Sequence, residues 1–168
     1  VWPARVNAGV NRGYQKGILR DDGRLAACTA ACGPVIYRAD NFPPEFRGNA
    51  FVCDPAANVV QRRILKEEGG TITAVNPHAK GDDFIASTDE RFRPVNAYVG
   101  PDGCLYFIDF YRGIIQHRPY VTTYLRSQIL PRELDKGIGR GRIYRVVHES
   151  NPPGPPPRLS KASSAELV

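Results

Sequence analysis

Methionine is absent from all 168 residues, position 1 included, and tryptophan occurs once. Val1 is therefore not expected to be a translational start, and the chain reads as a processed or partial product. No run approaches the roughly 20 apolar residues of a membrane span. No basic-then-apolar leader opens the chain, so a targeting segment is expected to be absent or already removed. Helix-turn-helix patterning, zinc-finger spacing and RNP-like aromatic motifs are also missing, which argues against nucleic acid as a partner despite a formal charge of +6. Cysteine and histidine are scarce, at four and three residues. Cys28 and Cys32 enclose three residues, which is neither the redox spacing nor a haem-attachment motif. His78, His117 and His148 lie far in sequence from the cysteines, so no zinc set is apparent.

The hydrophobic content of 42% is enough for one core of ordinary size in a chain of this length. The basic residues are scattered, with denser groups at Arg62-Arg63 and at Arg140, Arg142 and Arg145. Such a balance is compatible with an anionic cofactor or a membrane surface. Cys32 and Cys53 fall in two apolar runs that can be neighbouring strands. Two readings follow: a disulfide in an oxidising compartment, or a pair of buried free thiols.

Residues 1–33 are rich in turn formers, including Asn7, Gly9, Asn11, Gly13, Gly17 and Asp21-Asp22-Gly23, and predict a loop-rich lead-in with short strands. From Pro34 to His148 short β-rich runs alternate with breakers: 35–38, 49–53, 59–65, 71–75, 84–87, 94–99, 104–110 and 142–148. That texture predicts a mainly β sandwich, barrel or propeller. Between residues 119 and 130 the pattern changes, because Val121, Tyr124, Leu125 and Ile129 recur at helical spacing. Pro119 suits a first turn and Pro131 discourages continuation, so one inserted helix is expected there. Residues 149–168 read as a proline-rich linker, Ser150 to Pro157, leading to a capping box at Ser163 and Glu166 that opens a truncated helix.

One stretch has a chemical rationale of its own. In Glu90-Arg-Phe-Arg-Pro94 two arginines lie two residues apart, so an extended backbone points both guanidinium groups to one side. Their ordinary role would be ion pairing with Asp89 or Glu90, which contributes only about 0–1 kcal/mol when exposed. Asp102-Gly103 reads as a hairpin turn with no chemistry. Tyr106, Phe107, Phe110 and Tyr111 read as packing residues.

Five pieces in order, at 31–38 (Ala-Cys-Gly-Pro-Val-Ile-Tyr-Arg), 46–52 (Phe-Arg-Gly-Asn-Ala-Phe-Val), 59–64 (Val-Val-Gln-Arg-Arg-Ile), 89–95 (Asp-Glu-Arg-Phe-Arg-Pro-Val) and 99–107 (Val-Gly-Pro-Asp-Gly-Cys-Leu-Tyr-Phe), carry a resemblance. Over about residues 30–148 the chain resembles the closing portion of the glucose/sorbosone dehydrogenase family, the soluble quinoprotein sugar dehydrogenases. The likeness is closer to the large multidomain, planctomycete-type versions. The resemblance implies a partial six-bladed β-propeller, about the last two blades, with the helix inserted. It implies pyrroloquinoline quinone (PQQ) and calcium as cofactors, with the site incomplete in this chain. Carried over by motif, Arg38, Arg91 and Arg93 become cofactor-binding residues. Forked, permanently charged guanidinium groups suit carboxylates, and a cation stabilises charge developing on quinone oxygens. No histidine matches the general-base motif; His117 is the one nearest to consideration. Position 57 is Ala where the family commonly has a turn glycine, which predicts an altered hairpin turn.

The function these features imply is the C-terminal propeller portion of a periplasmic or otherwise extracytoplasmic PQQ-dependent sugar or alcohol dehydrogenase-like protein. The alternative is a non-catalytic accessory or scaffold subunit of a larger, membrane-associated redox complex. Either way, open blade edges imply a covering partner: the remainder of the propeller, another chain, or a c-type cytochrome.

Overall fold

The fold is described from a computed structural model for residues 3–78, 82–153 and 158–165. It is mainly β, with one α-helix and two antiparallel sheets. The first sheet contains β1 (Cys32–Ile36), β2 (Ala50–Asp54), β3 (Val59–Glu68), β4 (Thr71–Val75) and the short β5 (Ile85–Ala86). Its order is β1-β2-β3, with β4 pairing the far half of β3 and β5 its near end. The second sheet is β6 (Pro94–Val99), β7 (Leu105–Asp109) and β8 (Arg142–Val146), in that order.

The strands form where apolar β-formers alternate, and the alternation tells which face is inward. In β7, Leu105, Phe107 and Asp109 point inward while Tyr106 and Ile108 are half-buried. The main core lies between the sheets: Tyr37, Phe51, Cys53 and Val60 from the first meet Phe92, Ala97, Leu105 and Phe107 from the second. Full burial of aromatic rings of this size is the largest single source of apolar stabilisation here, about 1.5–3 kcal/mol for a Phe-sized side chain. The sheets touch along β1, β2 and β6. Gly33 makes that approach feasible. At φ +52 a Cβ there would lie 2.5 Å from Asn96 Cα, and the register slips between Cys32 and Val35 beside it. At the other end of the contact, the Tyr37 hydroxyl donates to the Gly103 carbonyl at 2.7 Å and accepts from the Phe42 amide.

The inserted helix is α1 (Thr123–Ile129), flanked by 3-10 turns at Arg118–Tyr120 and Leu130–Arg132. Thr122 caps it, its hydroxyl accepting from the Leu125 amide. Pro131 stands in the closing turn, after which Glu133 turns the chain at φ +51. Leu125, Ile129 and Leu134 form a small core of their own. Residues 3–30 are loops with isolated bridges, packed through Leu25 against Ala57 and Val59. The left-handed residue of the β2–β3 turn is Asn58, at φ +60, so Ala57 stays buried without strain. The capping box of the tail involves Glu166 and lies outside the described residues, as do 154–157 of the proline-rich segment. Apolar side chains are exposed at the sheet margins, Ile72 and Val75 on β4 and Ile143 on β8.

Cys32 and Cys53 are direct cross-strand partners on β1 and β2, and both thiols are free. Burial, with Cys32 nearby, pushes the Cys53 thiol up to about 12, and burial followed by Asp54 raises Cys32.

Candidate functional site

The three arginines singled out from sequence are not brought together. β1 and β6 run side by side in one direction, since Gly33 abuts Val95 and Asn96 while Tyr37 reaches Gly103. Arg38 follows the far end of β1 and Arg93 precedes the near end of β6, so roughly 20 Å of strand separates them. Arg38 is exposed. Arg91 lies against the closing turn after α1, donating to the Glu133 carbonyl at 3.0 Å and the Arg132 carbonyl at 3.4 Å.

Arg93 is buried and is held by backbone. Nε donates to Arg112 O at 2.9 Å, Nη1 to Pro55 O at 2.6 Å and Nη2 to Gly113 O at 2.7 Å. Its own amide donates to Asp109 Oδ1 at 2.8 Å. That carboxylate, at the end of β7, also caps the next turn by accepting from the Tyr111 amide. Gly113 has no room for a side chain, because a Cβ would lie 2.5 Å from Leu134 O. Burial first, then the charge of Arg5, lowers Arg93 to about 10, which leaves it a cation at neutral pH.

Arg5, from the loop-rich lead-in, is the second cation of the site. Nη1 donates to Val6 O and to Glu90 Oε1, and Nη2 donates to Asn58 Oδ1 at 2.8 Å. Burial lowers its pKa, and the Arg132 charge works the same way against the opposing pull of Glu90. Glu90 therefore pairs with Arg5 and Arg132 rather than with its sequence neighbours. Asn58 ties the network to the β6 entrance, its amide donating to Phe92 O while Asn7 reaches it from the lead-in.

Arg5, Arg93 and Arg12 share one half-open cavity of about 430 Å³. Its walls come from the lead-in, the β2–β3 turn and residues 114–125, and no carboxylate is on the lining. The size falls in the range of small-molecule sites. Two polar atoms of lining residues are buried without a partner: Arg5 Nε, a donor, and Asn11 Oδ1, an acceptor. Arg12 is exposed on a left-handed backbone at φ +65. Ile18, Ile114 and Leu125 supply an apolar side. Such an arrangement can hold a small anion against an apolar surface.

Of the expected residues only Arg93 reaches this cavity. His78, His117 and His148 are not on its lining, and His117 is exposed beside Tyr120. Among the described residues no group of three or more His, Cys, Asp or Glu side chains is arranged to hold a metal. Among the described residues no helix is long and apolar enough to cross a membrane. Arg5, Asn11, Arg12 and Asn58 were not legible as site residues; only the Asp-Pro-Ala-Ala-Asn turn hinted at a left-handed asparagine.

A family model described as "Domain of unknown function (DUF7133)" matches residues 2–150, and the chain belongs to that family. No curated protein and no solved structure matches it.

Proposed function

We propose that this member of the family is a portion of a β-propeller of the PQQ-dependent sugar or alcohol dehydrogenase kind, working outside the cytoplasm. Its part there is to hold an acidic cofactor. The observation that carries the reading is the cavity lined by Arg5, Arg12 and Arg93 without a carboxylate. Two consecutive blades are supported by a repeated feature. Each sheet ends its second strand on a buried aspartate that caps the following turn, Asp54 toward Ala56 and Ala57, Asp109 toward Tyr111.

The fit to PQQ differs from the motif-based trio. Arg12, exposed at the cavity, suits a carboxylate, whereas Arg93 already spends three donors on carbonyls and serves as the cationic floor. Arg38 and Arg91 take no part. When bound, the quinone would supply the hydride acceptor. The arginines bind its carboxylates, and Ile114 and Leu125 keep water from one face. Calcium ligands and the general base are assigned to other parts of the assembled protein. A second reading, the accessory or scaffold subunit, is favoured by the exposed Ile72, Val75 and Ile143 at sheet margins that a partner chain or cytochrome domain would cover.

Fluorescence titration of the purified chain with PQQ, with and without calcium, tests this. Saturable binding that Arg12→Glu abolishes is expected. A folded chain that binds no PQQ under either condition overturns the cofactor reading. Dye-linked sugar oxidation by this chain alone overturns the scaffold reading.

A further inference from the structure

The far margin of the second sheet holds chemistry that neither the arginine cavity nor the main core uses. β8 pairs only with β7, through an unbroken register from Asp109 opposite Arg142 to Leu105 opposite Val146. Among the described residues no backbone group pairs with its other side. Alternate residues of such a strand turn N–H and C=O outward, a row that accepts a further strand. β8 has neither proline nor bulge, so only its charge limits what can pair there. Tyr144 stacks on Phe107 with 5.0 Å between ring centres, which holds the strand in place.

The charge on β8 is of one sign. Arg142 and Arg145 project from its two faces, and Arg140 precedes it. Arg142 reaches Asp109 only at 3.9 Å and Arg145 reaches Asp102 at 3.4 Å, and the two arginine side chains remain 43% and 50% exposed. At the end of the strand Val146, Val147 and His148 lead into a small apolar cavity of about 190 Å³, with Phe42, Phe46 and Phe84 on its other walls. β4, the margin of the first sheet, carries no charged residue and so sets no such demand.

We infer that β8 is a docking edge for an extended acidic segment of a partner protein, which adds a fourth strand to the second sheet. The segment runs antiparallel to β8, as the other pairs of the sheet do. Two carboxylates three residues apart meet Arg142 and Arg145 on opposite faces, and an apolar side chain near the segment's N-terminal end enters the cavity beside Val146. Main-chain pairing supplies affinity and the side chains supply specificity. The inference rests on the scaffold reading and narrows it to one edge and one partner chemistry.

Fluorescence anisotropy of a labelled ten-residue peptide titrated with the whole chain tests this. The peptide alternates threonine and valine, with two glutamates three apart and a leucine near its N-terminus. Saturable binding is expected, and replacing both glutamates by glutamine should weaken it roughly fivefold, in keeping with two exposed ion pairs. N-methylating one alternate set of peptide amides should abolish binding and N-methylating the other should not, because only every second amide faces β8. The double variant Arg142→Glu, Arg145→Glu should lose the acidic peptide and gain its lysine counterpart, an exchange that unfolding does not produce. No binding, equal tolerance of both methylated sets, or indifference to the glutamates overturns the inference. Self-association of the chain that the peptide competes away assigns the edge to a second copy and also overturns it. A chain that captures the peptide yet oxidises sugar unaided overturns the scaffold reading and leaves the docking edge standing. An inactive chain that captures no peptide overturns the docking edge alone.

Discussion

Arg38 and Arg93 have matching local sequences, each directly after a buried aromatic ring at one end of a strand that packs on the other, yet they meet opposite fates. Tyr37 and Phe92 both enter the shared core. Behind Phe92, three carbonyls from Pro55, Arg112 and Gly113 converge on one guanidinium. Behind Tyr37, the neighbouring turn is occupied by the tyrosine's own hydroxyl, and Arg38 is left in solvent. The difference teaches that an arginine's role is decided by backbone acceptors brought from elsewhere, not by its motif. A cation gathered by carbonyls is a strut first, and contributes to binding mainly through its field.

The largest effect is expected from cutting that strut. Arg93→Ala leaves three inward carbonyls without donors at the junction of both sheets and the insertion, and should cost about 3–5 kcal/mol in urea unfolding. Arg93→Lys should recover only part of this, since one ammonium on a flexible stem does not reproduce a planar fork. Arg38→Ala should leave the transition unmoved. Equal losses at the two positions would break the comparison.

Much of this architecture was legible in the sequence. The runs 71–75 and 94–99 coincide with β4 and β6, and the helical spacing of Leu125 and Ile129 did place both in a buried cluster. Those signals survive because strand and helix periods act locally. The site was less legible for a physical reason. Arg93's partners are carbonyls, which every residue carries, so nothing in composition marks Pro55 or Gly113 as acceptors. Residues 3–30 have no period, and their glycines and asparagines predict turns without saying which loops converge. Arg5 and Arg12 gain meaning only when Asn58 and Glu90 anchor the lead-in beside the β6 entrance.

Burial in the main core has a second consequence, which pH reads out at Cys53. Cys53 lies fully buried in the main core, while Cys28 is exposed in the lead-in. An ordinary thiol ionises near 9, and burial moves Cys53 up to about 12. Between those values the unfolded chain gives up a proton that the folded chain keeps. The contribution is therefore fully present below pH 9 and is lost as pH rises toward 12. Wild type should lose stability over that window more steeply than Cys53→Ala, by about 1.4 kcal/mol per pH unit for one proton. Parallel slopes would show that the folded thiol ionises like a free one. The raised thiol also predicts that Cys53 resists an aromatic disulfide reagent at pH 8 until the chain is unfolded, even though Cys32 stands directly opposite it.

Arg91 gives the smallest and sharpest test, because it shares Arg93's motif but has only carbonyls at the rim. Its guanidinium donates to Glu133 O and Arg132 O, at a turn that Arg132 already fastens through Gln128 and Glu90. A hydrogen bond at a partly exposed site is worth about 0.5–1 kcal/mol, and the turn retains its other fastenings. Arg91→Ala should therefore shift the unfolding midpoint slightly and leave ligand affinity at the cavity unchanged. If Arg91→Ala instead weakened binding as much as Arg12→Glu, the Arg-x-Arg pair would act as one unit. The distinction between a strut at 93 and a rim clasp at 91 would then fail, because coupling of that size requires both guanidinium groups to meet the same ligand.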